Sequence, residues 1–107
     1  MSELTPAHAE LTITPSAEGD VPVLAVTGEL DMSNADTVKA AVAASNAEHA
    51  GRLIFELSGL RFIDSAGIAA LLEAAERIDN VVVRSPAPAV RRVIEITGLS
   101  EVLPLEP

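Results

Sequence analysis

A mixed α/β fold is what this sequence predicts: a sheet of four to five strands, opened by an antiparallel N-terminal hairpin and flanked by three to four helices. Three observations predict it. Apolar runs at Val21–Val26, Leu53–Leu57 and Val81–Val83 are too short for buried helices and read as strands. Segments with apolar residues three and four apart separate these runs, and strand–helix–strand order implies parallel pairing through right-handed crossovers. At the front of the chain two strand signals are joined by a turn alone, which implies an antiparallel hairpin.

Residues 1–10 are polar, carry Pro6, and read as a loose leader to a single domain spanning 1–107. Leu11–Thr14 alternates apolar and polar, the mark of an edge strand, and Pro15–Asp20 reads as a turn. The second strand, Val21–Val26, carries Pro22 near its start, where proline is tolerated. Gly28–Asp31 breaks the pattern. Ser33 stands three residues before Asp36, a variant of the capping box, so a first helix is expected from Asn34 to about Glu48. Its stripe is Val38, Ala41, Val42 and Ser45, and Gly51 ends it.

Leu53–Leu57 is the third strand and Ser58-Gly59 turns the chain. Ile68, Leu71, Leu72 and Ala75 recur at helical spacing, which places a second helix from about Ser65 to Ile78. Val81–Val83 is the fourth strand. Pro88 opens a third helix, with Val90, Val93, Ile94 and Thr97 as its stripe and Gly98 at its end. Val102–Leu105 is a last short apolar segment.

Composition excludes several functions. There are no cysteines, so disulfides and thiolate metal sites are absent, and two histidines make a histidine-based metal site improbable. The 7 basic and 16 acidic residues give a net charge of -9, which argues against nucleic acid and anionic membranes as partners. It favours a basic protein partner, or no specific electrostatic partner at all. Without Trp or Tyr there is no platform for base stacking. No apolar run approaches the roughly 20 residues that cross a bilayer, and no secretory signal opens the chain, so the expected compartment is the cytoplasm. Catalysis finds no constellation either. Neither His8 nor His49 falls near a candidate serine, no Gly-x-Ser-x-Gly elbow occurs, and the single lysine, Lys39, lies within a helix.

In a parallel sheet the loops that follow the strands gather at one edge, and sites gather with them. That edge collects Glu29, Asp31, Arg61, Asp64 and Ser65. Ser65 falls at or just inside a helix start, where free N–H groups and the helix dipole favour an anion. Two readings follow: Asp64-Ser65 caps the helix, or Ser65 is a modifiable serine whose phosphate the local backbone tolerates. Ala66, Gly67, Ala69 and Ala70 either flatten the surface for a docking partner or allow close packing on the sheet.

Three blocks of residues carry a resemblance to a known family. They are Val26-Thr-Gly-Glu-Leu-Asp31; Leu57-Ser-Gly-Leu-Arg-Phe-Ile-Asp-Ser-Ala-Gly-Ile68 followed by Leu71-Leu72; and Ser85-Pro-Ala-Pro-Ala-Val-Arg-Arg-Val93 followed by Thr97-Gly-Leu99. Together they resemble STAS domains of the anti-sigma factor antagonist type, and the second block is the specific one. The resemblance implies a STAS-like fold, no enzymatic activity and no cofactor. It implies that Ser65 is phosphorylated by the partner, an anti-sigma factor with serine kinase activity. The unphosphorylated form binds that partner and frees a sigma factor; a PP2C-type phosphatase resets the switch. Glu29 and Asp31 help dock the partner, together with Asp64, Ala66 and Gly67 around the serine. Ala66 stands where the family often has a second hydroxyl residue, and Glu56 where Asp is common before Leu-Ser. Some relatives act as non-switching scaffolds or as subunits of lipid-transport complexes. Outside the family, an acyl carrier-like protein shares the acidity and the Asp-Ser at a helix start, and a receiver domain would share an acidic pair after its first parallel strand but needs a late lysine.

Overall fold

A computed structural model describes residues 10–107 of the chain. The leader expected over 1–10 lies outside the described residues except for Glu10, as does His8. Six strands form one sheet: β1 (Leu11–Glu18), β2 (Val21–Leu30), β3 (Arg52–Glu56), β4 (Leu60–Ile63), β5 (Asn80–Arg84) and β6 (Leu105–Glu106). The helices are α1 (Ala35–Ala44), α2 (Ala47–Ala50), α3 (Ser65–Arg77) and α4 (Pro88–Ile96), with one 3-10 turn at Leu99–Glu101.

The expected hairpin is present and longer than expected. β1 pairs antiparallel with β2 from Leu11 opposite Gly28 to Glu18 opposite Val21. Pro15 therefore lies within a strand, and the turn shrinks to Gly19-Asp20. An edge strand has one row of backbone groups without a partner, so proline's missing N–H is tolerated there. Gly19, with φ +60°, occupies the first loop position, where a two-residue hairpin favours glycine.

β2, β3, β5 and β6 then run parallel in that order. A further short strand, β4, enters between the turn at Ser58-Gly59 and α3, where the sequence predicted no element. β4 pairs with β2 at Gly28–Leu30, on the same side as β3, which pairs at Val23–Ala25. The turn at Ser58-Gly59 thus breaks one line of chain into two strands. β4 has no alternation that reveals it: its burial runs in–out–out–in because the register shifts between Gly28 and Glu29. Gly28 sits at this shift with φ +105°, and a Cβ there would collide with the Glu10 carbonyl oxygen.

Leu24, Val26, Leu30, Leu53, Phe55, Val81 and Val83 project from the sheet into the helical layer, where Val38, Leu71, Val90 and Ile94 complete the buried core. This six-stranded sheet is incompatible with a helical acyl carrier. The single helix expected from Asn34 to Glu48 is two. α1 stops at Ala44, and the Ser45 hydroxyl donates to the Val42 carbonyl while accepting from the Ala47 N–H. That side chain competes with the helical ladder and starts α2. Gly51, at φ +73°, closes α2 in the left-handed conformation that ends many helices.

Candidate functional site

The edge formed by the C-terminal ends of β2 and β4 brings together most of the residues singled out in the sequence. Leu30 and Ile63 are neighbours in the last rung of the β2–β4 ladder, and the Asp64 N–H donates to the Leu30 carbonyl at 3.2 Å. The loop Asp31–Asn34 and the start of α3 therefore leave the sheet side by side.

Asp64 is the N-cap of α3. Its extended backbone (φ -109°, ψ -172°) turns the carboxylate back over the helix start, and Oδ1 accepts from the Gly67 N–H at 3.0 Å. Oδ2 reaches the other loop and accepts from the Met32 N–H at 3.2 Å. One carboxylate thus ties two elements that are 32 residues apart.

Ser65 is the first helical residue of α3, exposed, and its hydroxyl makes no hydrogen bond among the described residues. The choice between a capping pair and a modifiable serine is resolved for the cap: Asp64 alone performs it. Ala66 is half-buried and Ala69 exposed, so both contribute to the surface around Ser65. Gly67 is buried, and its place is internal packing. A Cβ on it would stand 2.7 Å from both Ile63 Cγ1 and Leu30 Cγ. Ala70 is buried as well, so Gly67 and Ala70 take the close-packing role, and glycine at 67 lets α3 approach the strand ends.

Asp31 is braced within its own loop. Its Oδ1 accepts from the Ser33 N–H at 2.9 Å and from the Ser33 hydroxyl at 2.6 Å. Oδ2 makes no hydrogen bond among the described residues. The expected capping box at Ser33 and Asp36 does not form. Asn34 holds the N-cap position of α1, and its side chain serves the strand end instead: Oδ1 accepts from the Asp31 N–H and Nδ2 donates to the Glu29 carbonyl. Asp36 pairs loosely with Lys39 at 3.8 Å.

Glu29 pairs with Arg61 at 3.6 Å, both side chains about half exposed or more. Exposed pairs of this kind contribute about 0–1 kcal/mol, so Glu29 can exchange this partner for another at little cost. Two large apolar side chains stand out beside these acids: Met32 is 81% exposed and Phe62 50%. Sequence reading passed over both.

His49 lies on α2, away from this edge, and no group of His, Asp and Glu suited to a metal ion occurs among the described residues. No helix among them is long and apolar enough to cross a membrane.

A mixed sheet with an N-terminal hairpin, β4 inserted beside β2, and a serine at the start of the helix that follows defines a class. The pattern of the STAS domain matches residues 11–107, and the chain belongs to that family. A Mycobacterium tuberculosis protein provisionally named an anti-anti-sigma factor is 35% identical over 112 residues, covering 98% of this chain and 75% of that protein. The anti-sigma-F factor antagonist RsfB of the same species is 29% identical over 98 residues, or 89% of this chain and 80% of RsfB. The crystal structure of an anti-sigma factor antagonist from Mycobacterium paratuberculosis superposes with a TM-score of 0.83 at 30% identity, covering 92% of this chain and 86% of that one.

Proposed function

We propose that this chain is an anti-sigma factor antagonist that works by partner switching. Its unphosphorylated form binds an anti-sigma factor with serine kinase activity and so releases a sigma factor. That partner phosphorylates Ser65, which ends the binding, and a PP2C-type phosphatase restores it. The chain acts by binding rather than by catalysis and uses no cofactor. The names of its relatives support the antagonist role.

The observation that carries the switch is the division of labour at the start of α3. Because Asp64 supplies the cap, Ser65 is exposed and its hydroxyl makes no hydrogen bond among the described residues. Phosphorylation adds a charge of about -1.5 to -2. At the first residue of a 13-residue helix that charge meets the positive end of the dipole, so the fold tolerates it. On the surface it adds bulk and charge beside Ala66, Ala69 and the Asp31–Asn34 loop. A partner fitted to the bare hydroxyl must then desolvate a dianion next to the Asp64 carboxylate. The acids of the loop supply the attractive part: the outer Asp31 oxygen and the releasable Glu29 suit a basic partner surface.

The test is incubation with the cognate anti-sigma factor and ATP, followed by phosphate mapping. Phosphate on Ser65 is the expected result. Phosphate confined to Ser58 or Ser85 contradicts the switch, and binding without any phosphorylation makes the chain a non-switching scaffold.

A further inference from the structure

We infer that Asp64 is the positioning residue of the partner-docking loop: besides capping α3, its second oxygen fixes the backbone at Met32 and thereby sets where that exposed side chain stands. The inference rests on the proposed function for its binding arm, and on geometry alone for its structural arm.

The loop is braced internally at three of its four residues. Asp31 and Ser33 bond each other, and Asn34 bonds the Asp31 N–H and the Glu29 carbonyl. Met32 is held differently. Its N–H donates outward, across the edge, to Asp64 Oδ2 at 3.2 Å. Its side chain, 81% exposed, is the most exposed of the large apolar side chains among the described residues. The acceptor is charged and its other oxygen is already fixed by the Gly67 N–H, so the carboxylate has little freedom to turn away. Met32 consequently stands at a set distance from Ser65, the residue that follows Asp64. An unbranched thioether adapts to an irregular apolar pocket, and here Asp31 precedes it in the same loop. The partner surface that fits is an apolar socket with a basic rim, on the anti-sigma factor.

Two substitutions separate the two roles of Asp64. Asn and Ser cap helices as well as Asp does, through one oxygen. Neither keeps a second acceptor for Met32, and Ser leaves no amide that could flip to restore it. Asp64→Asn and Asp64→Ser are therefore expected to keep the helix content and melting temperature close to wild type. NMR should show the Met32 amide proton exchanging roughly tenfold faster in both, as for loss of a hydrogen bond to a charged group. Affinity for the cognate anti-sigma factor should fall about as far as in Met32→Ala, and Asp64→Asn combined with Met32→Ala should bind no worse than either alone. Unchanged Met32 exchange in both Asp64 variants overturns the inference, as do additive losses in the double variant. If the wild-type protein fails to bind the anti-sigma factor, the proposed function falls, while the Met32 exchange still decides whether Asp64 positions the loop.

Discussion

Two serines stand exposed at the same edge of the sheet, each at the start of a helix, and the structure uses them in opposite ways. Ser33 precedes α1, and its N–H and hydroxyl both go to Asp31 Oδ1. Ser65 opens α3, and its hydroxyl goes to nothing among the described residues because the aspartate before it has taken the capping role. Serine at a helix start is thus a structural residue when its oxygen closes a turn and a chemically available one when a neighbour does so instead. The difference also separates the two aspartates. Asp31 shapes its own loop, whereas Asp64 joins one loop to another.

The largest effect is expected at Gly67, which packs α3 against the ends of both β2 and β4. Gly67→Leu drives a side chain into Leu30 and Ile63. Overpacking of this kind costs about 1–3 kcal/mol or more. Thermal denaturation should show a melting temperature lower by several degrees, with circular dichroism reporting whether α3 survives. A melting temperature equal to wild type would mean that the helix can move away from the strand ends.

Next in size is Asp64→Ala, which removes the cap as well as the bond to Met32. Loss of an N-cap costs about 0.5–2 kcal/mol, read from chemical denaturation. Ser65→Ala sharpens the contrast, because the same measurement should change by less than about 0.5 kcal/mol if Asp64 alone is the cap. A loss near 1 kcal/mol in Ser65→Ala would return the capping role to the serine. Ser33→Ala should fall between them, at about 0.5–1 kcal/mol, since it gives up a hydrogen bond to a carboxylate at an exposed site. The smallest effect belongs to Arg61→Ala: breaking an exposed ion pair with Glu29 should leave stability within about 0.5 kcal/mol of wild type.

Much of this arrangement was legible in the sequence, for identifiable reasons. The hairpin, the parallel strands and α3 follow from apolar runs and helical spacing, and Asp64-Ser65 marks a helix start by residue type. What was not legible depends on contacts between distant segments. β4 follows no alternation because a register shift at Gly28 turns its side chains unevenly. One exception is local: Ser33 and Asp36 have the spacing of a capping box, yet the Asn34 side chain bonds Asp31 and Glu29 three and five residues back and the box does not form. Pro15 looks like a breaker unless β1 is known to be an edge. The bond from Met32 to Asp64 spans 32 residues and has no local signature.

The switch is tested most directly by titrating the cognate anti-sigma factor against two forms of this protein, unmodified and enzymatically phosphorylated on Ser65. Phosphate itself is needed, because an aspartate at position 65 carries less charge and a different geometry. The unmodified form is expected to bind, and the phosphorylated form, still folded, to bind roughly tenfold or more weakly, a difference of about 1.4 kcal/mol or greater. Equal affinities for the two forms would contradict the switch.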